Sequence, residues 1–251
     1  MVRGQYIAGT GMLLQRRMME TITNNVTNAD TTGYKKEHLV SHSFDDVLLR
    51  RINDQSAVGQ RRLDGPLNFG TQIDQLYVNY EMGNLEPTER STDLALVGDV
   101  FFTVETAAGE RYSRSGAFVV SRDGYLVDGE GNYLLGENGR VYVGGTDFAV
   151  DEMGRVVIDT QVTNRLRIAS FEDNETLRKQ GNNLYLALSE PEAATKSYSV
   201  LQGYLENSNV DIGREMVDMI TVYRVYETNQ RMLTMIDETV GKAVNEIGRL
   251  R

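Results

Sequence analysis

The residues from Ile212 to Ile247 constrain the fold more than any other stretch of this chain. In steps of three and four they run Ile212, Glu215, Met219, Val222, Tyr226, Asn229, Leu233, Ile236, Val240, Ala243 and Ile247. Nine of these eleven positions are apolar or aromatic. That spacing predicts one long helix that supercoils against another. Met216, Ile220, Tyr223 and Val225 widen the apolar surface over the first half. A helix apolar on more than one side has to be covered on more than one side. Asn229 interrupts the seam, where a buried amide costs stability but fixes register. An ordinary core helix is the plainer reading, yet the segment is long for one.

A second amphipathic helix is expected over residues 5–27. Ala8, Met12, Met19, Ile22 and Val26 share a stripe that only Gln15 breaks. Gly4, Gly9 and Gly11 lower its helix propensity by roughly 1 kcal/mol each relative to Ala. Such a helix needs a partner, and the C-terminal helix is the obvious one. Pairing of the two chain ends makes everything between them an insertion.

The first helix runs into a polar block from Asn24 to Gly33, built of turn-forming residues. An irregular or short helical stretch through Phe44 and Leu49 follows, then a linker or mobile loop from Asn53 to Gly70. From about residue 71 the apolar period changes to two. Turn signals recur at Asp123-Gly124, Asn138-Gly139 and Met153-Gly154, which marks strands joined by hairpins. The expected class is α+β: a discontinuous helical coiled-coil domain of residues 1–36 and 206–251, a junction segment at 37–70, and an inserted all-β domain at 71–205 that folds on its own.

Composition narrows the function. The net charge is −10 with no basic stripe, which argues against nucleic acid, whose phosphates need Lys and Arg. Cysteine is absent, so thiol chemistry and Cys-based metal sites are excluded. Arg3, Arg16 and Arg17 interrupt the N-terminal stretch, so no signal peptide is expected, and any export would proceed without a cleaved Sec signal. His38 and His42 stand four apart, but the zinc-protease pattern needs a Glu directly after the first His. Asp128 to Asn132 faintly resembles a calcium loop, yet the sixth and twelfth positions are Tyr133 and Gly139, so a hairpin turn is the better reading. No cofactor, small-molecule substrate or enzymatic activity is expected.

The polar blocks at the two ends carry a resemblance. Asn24-Asn25-Val26-Thr27-Asn28 through Thr32-Gly33-Tyr34-Lys35 resembles the N-terminal signature of the bacterial flagellar rod and hook proteins. Ser208-Asn209-Val210-Asp211 and the following Glu215 to Asn229 resemble that family's C-terminal signature. Thr92 to Phe102 is similar to its central strand pair. Val100 and Thr27 depart from the residues usual there, Gly and Ala. The resemblance implies a structural subunit of the flagellar basal body. Its terminal helices would pack in a tube with copies of itself and with other rod or hook subunits, and it would be exported by the flagellar type III apparatus. The length favours a rod protein over a hook protein, with a lean toward the proximal rod. The assembly interface would comprise Met12, Met19, Ile22, Val26, Met219, Val222, Tyr226, Asn229, Leu233, Ile236, Val240 and Ile247. The motif junction would comprise Asn24, Asn25, Asn28, Thr32, Gly33, Tyr34, Ser208, Asn209 and Val210. Two other classes stay open: a secreted β-rich adhesin with a helical oligomerisation stalk, and a glycan-cutting enzyme needing paired carboxylates.

Overall fold

A computed structural model describes residues 2–50, 63–189, 191–193 and 198–248. Helix α1 spans Val2–Thr27 and helix α2 spans Ile212–Gly248. Among the described residues between them the regular elements are strands, apart from one 3-10 turn at Asn174–Thr176: an α+β fold with helices at both ends. It divides into two compact units, residues 1–24, 37–77 and 212–251 against residues 25–36 and 78–211.

The first unit holds the helices and four strands: β1 (Glu37–Ser43), β2 (Val47–Arg50), β3 (Leu63–Leu67) and β4 (Thr71–Val78). β1 pairs with β4, and β2 with β3. These strands correct the reading of 37–70 as linker with a short helical stretch. Residues 47–49 are β-branched or γ-branched apolar residues that take the extended state once a partner strand is supplied, a tertiary effect that local sequence does not encode. The expected mobile loop at 53–62 lies outside the described residues. His38 sits on β1, exposed, with its ring 5.0 Å from that of Tyr77.

The second unit is built around three consecutive strands: β5 (Leu85–Pro87), β6 (Leu94–Val97) and β7 (Phe101–Thr106). β7 pairs with the strand Gly109–Ser113 on one side and Tyr133–Gly136 on the other. Successive side chains of a strand point to opposite faces, so Phe101 and Phe102 enter different clusters. Phe102 and Val104 join Leu94, Phe118, Leu134, Val156 and Val200 in the larger core. Phe101 packs with Tyr112, Phe171 and Tyr185, edge-on to Phe171 at 5.9 Å. The Asp128 loop is a hairpin turn in which one carboxylate oxygen accepts from the backbone N–H groups of Glu130 and Asn132. The strand Tyr204–Glu206 pairs antiparallel with β5, and that pairing places the C-terminal strand beside residues 81–84.

Candidate assembly site

Within the first unit, α1 and α2 pack against each other. A Cβ on Gly4 would meet Ile236 Cδ1 at 3.2 Å, and one on Gly11 would meet Asn229 Nδ2 at 3.0 Å. Seven residues forward on α1 is seven residues back on α2, so the helices are antiparallel. Two of the three glycines that weaken α1 as an isolated helix, Gly4 and Gly11, are the notches that let α2 approach, while Gly9 faces open space. Met219, Val222, Tyr226, Asn229, Leu233, Ile236 and Val240 are all half-buried. Met12, Met19, Ile22 and Val26 are half-buried too, while Ala8 and Leu14 are buried. Ile247 lies in α2, but its side chain is outside the described set. The polar flank of Asn229 thus faces a glycine rather than a second amide.

The second unit brings the two terminal motifs together. Gly33 N–H donates to Glu206 O at 2.7 Å. Lys36 N–H donates to Asn209 Oδ1 at 2.7 Å, and Asn209 Nδ2 donates to the carbonyls of Asn79 and Glu81. Tyr34 is buried, donates its hydroxyl to Asn25 Oδ1 at 3.1 Å, and has Lys179 Nζ 3.8 Å from its ring centroid. Thr32 lies 3.2 Å from Ser115 Oγ, and its carbonyl accepts from Asn183. Asn28 Oδ1 accepts from Thr31, and Ser208 Oγ from Val210 N–H; these stabilise their own turns. Asn24 belongs to the other unit and is exposed. Gly33 has φ +68°, and a Cβ there would sit 2.4 Å from Ser115 N, so only glycine fits.

At the centre of this junction is a buried ion triad that sequence reasoning missed. Glu206 Oε1 accepts from Lys35 Nζ at 2.6 Å and from Gly83 N–H at 3.0 Å, and Glu206 Oε2 accepts from Arg114 Nε at 2.6 Å. Lys35 and Glu206 are 1% exposed and Arg114 is 3% exposed. The other guanidinium nitrogens of Arg114 donate to the carbonyls of Val100 and Leu96, and Lys35 Nζ also donates to Glu81 O. Burial pushes the Lys35 ammonium below the usual lysine range, Glu206 opposes that shift, and Arg114 adds to it. Each donor nitrogen of Lys35 and Arg114 has at least one acceptor, the condition under which buried charge is tolerated. The sequence gives one hint: Lys35 closes the N-terminal motif. Nothing in the sequence marks Arg114 or Glu206, because an isolated charge reads as solvated.

Comparison with known proteins adds family matches along the chain. The model described as "Flagella basal body rod protein" matches residues 6–35. "Flagellar hook protein FlgE/F/G D1 domain" matches 95–169, and "Flagellar basal body rod FlgEFG protein C-terminal" matches 201–246. The first and last of these contain Lys35 and Glu206. The flagellar hook-basal body complex protein FlhO of Bacillus subtilis is 32% identical over 270 residues, covering 100% of both chains. The flagellar basal-body rod protein FlgG of Agrobacterium fabrum is 32% identical over 257 residues, covering 94% of this chain and 96% of its own. FlgG of Borreliella burgdorferi is 30% identical over 268 residues, covering 98% of each.

Proposed function

This chain belongs to the flagellar basal-body rod and hook protein family, and on that premise we propose that it is a structural subunit of the bacterial flagellar rod. It polymerises helically through α1 and α2 into a hollow shaft. Its partners there are copies of itself and other rod or hook subunits. It reaches the basal body through the flagellar type III export apparatus, and it acts mechanically, without catalysis. The α1–α2 pair is the nucleus of a coiled-coil layer formed from residues 1–36 and 206–251, and residues 71–205 form the β domain inserted between them.

The observation that carries this reading is end-to-end similarity to proteins named as basal-body rod proteins. The uncovered apolar faces of the helices support it. So does the charge distribution: the helix-bearing unit has 13 acidic and 13 basic residues, so the whole net charge of −10 falls on the β-rich unit. Units of zero net charge can crowd together without net repulsion.

Electron microscopy of the purified chain under assembly conditions tests the proposal. Tubes are expected, and Leu233→Asp should abolish them. Replacing this seam leucine by Asp removes roughly 2–3 kcal/mol of apolar burial and adds an unpaired carboxylate at each subunit. Separate particles at every concentration would favour the adhesin reading instead.

A further inference from the structure

We infer that Asn138 is a site of spontaneous deamidation built into the second unit, and that Asn164 sets its pace. The chemistry needs only this chain and water, and it is independent of the rod reading.

Asn138-Gly139 is the only Asn-Gly pair in the sequence, and asparagine is among the thermally labile residues. The pair closes the hairpin between the strands Tyr133–Gly136 and Gly139–Arg140. Asn138 is exposed, and its side-chain amide bonds to no described residue. Gly139 has φ +98°, and a Cβ built there would meet nothing within 4 Å. Its backbone nitrogen therefore carries no side chain that would crowd an approach to Asn138. The second strand of the hairpin is two residues long, and so short a strand opens without global unfolding. In the open tip the Gly139 nitrogen attacks Asn138 Cγ. The N–Cγ bond forms, the Cγ–Nδ2 bond breaks, and the proton of the attacking nitrogen leaves with Nδ2 as ammonia. Water then hydrolyses the cyclic imide at either carbonyl, giving aspartate or isoaspartate with no change of oxidation state.

The other Asn residues that precede small residues are tied down. Asn207 precedes Ser208, but its Nδ2 donates to Glu86 Oε2 at 2.9 Å. Asn28 precedes Ala29, but its Oδ1 accepts from Thr31 Oγ1 at 3.4 Å.

Asn164 opposes the reaction at Asn138. It is buried, its Oδ1 accepts from Asn138 N–H at 3.2 Å, and its Nδ2 donates to Gly139 O at 3.5 Å. One side chain thus holds the backbone on both sides of the Asn138–Gly139 peptide. Ring closure needs that peptide to rotate, so these bonds must break first. Isoaspartate lengthens the main chain by one carbon, and the two Asn164 bonds then no longer fit together. Modification therefore releases the tip from the strand Gln161–Arg165 and adds a negative charge to the acidic unit.

In the test, full-length protein is aged in mildly alkaline buffer made with oxygen-18 water and then cleaved with trypsin. Mass spectrometry with electron-transfer fragmentation locates each conversion and separates isoaspartate from aspartate. Asn138 is expected to convert before any other Asn and to take up one heavy oxygen. Asn164→Ala is expected to speed that conversion roughly 5–30-fold, the range that two hydrogen bonds span, with circular dichroism verifying the fold. Asn164→Asp keeps the acceptor and loses only the bond to Gly139 O; it is expected to give the lower end of that range and serves where Asn164→Ala fails to fold. Earlier conversion of another Asn would overturn the site. A folded variant that ages at the unmodified rate would overturn the role of Asn164.

Discussion

Replacing Glu206 by Gln tests the logic of the junction most directly. The substitution keeps the shape of the side chain and removes its charge. Three donors lose their carboxylate: Lys35 Nζ and Arg114 Nε, both at 2.6 Å, and Gly83 N–H at 3.0 Å. Two cations then face each other in a site with 1–3% exposure. Removing one partner of a buried ion pair costs about 3–5 kcal/mol. Lys35 can escape by losing its proton, a step that burial already favours. Arg114 cannot, because a guanidinium stays protonated. The larger part of the loss therefore belongs to Arg114. Against a total stability of about 5–15 kcal/mol, this is severe. With a urea dependence of about 2 kcal/mol per molar, the midpoint falls by roughly 2 M. The chain has no Trp but 13 Tyr, so tyrosine fluorescence and circular dichroism follow the transition. Adding Lys35→Met to the Gln variant should cost far less than it does in the unmodified chain, since the repulsion is already present. A midpoint change worth less than about 1 kcal/mol for Glu206→Gln, or strict additivity of the pair, would refute the view that the triad holds the junction.

Two further outcomes concern the same junction. Gly33→Ala forces a left-handed conformation that costs an L residue about 1–2 kcal/mol and drives Cβ to 2.4 Å from Ser115 N; thermal denaturation should show a drop of at least that size, and an unchanged melting temperature would contradict the assigned backbone geometry. Because the folded pKa of Lys35 lies below its unfolded value of 10.5, the unfolded chain binds the extra proton between the two. The contribution of this group to stability therefore rises with pH through that window. Urea midpoints of the unmodified chain should rise relative to those of Lys35→Met as pH increases toward 10.5, and parallel profiles would count against it.

The helices were legible because their information is periodic. The three-four spacing from Met219 to Ile236 is the same spacing as the half-buried positions on α2. A long helix repeats its pattern often enough to stand out from local noise. β2 and β3 were illegible for the opposite reason: four or five residues carry too little pattern, and pairing decides their state. Asp123-Gly124 and Asn138-Gly139 were legible as turns because positive φ at Gly124 and Gly139 requires a residue type, not a partner. Gly4 and Gly11 were read only as helix weakeners, since what fills their missing side-chain space comes from a residue more than 200 positions away. Lys35, Arg114 and Glu206 were invisible as a group. Lys35 and Glu206 are separated by 171 residues and Arg114 and Glu206 by 92, and no local rule connects charges over such distances. The likeness to a family pointed to the neighbourhood of the junction, while its chemistry emerged only from the packed side chains.

That separation also explains why the junction is built so heavily. Closing a loop of 171 residues in an unfolded chain costs about 4–5 kcal/mol of entropy. An exposed ion pair supplies at most about 1 kcal/mol, too little to hold the two ends. The junction instead combines the buried ring of Tyr34, the backbone bond from Gly33 to Glu206, the bond from Lys36 to Asn209, and the triad. An all-apolar cluster of the same size could be as stable, but it would tolerate many registers. Glu206 accepts from one backbone N–H and two cations at fixed places, and a shift of one residue along the strand Tyr204–Glu206 would turn its side chain to the opposite face and strand all three charges. Register at the junction is therefore enforced by the cost of error. Both helices are covalently continuous with it, α1 ending at Thr27 and α2 beginning at Ile212.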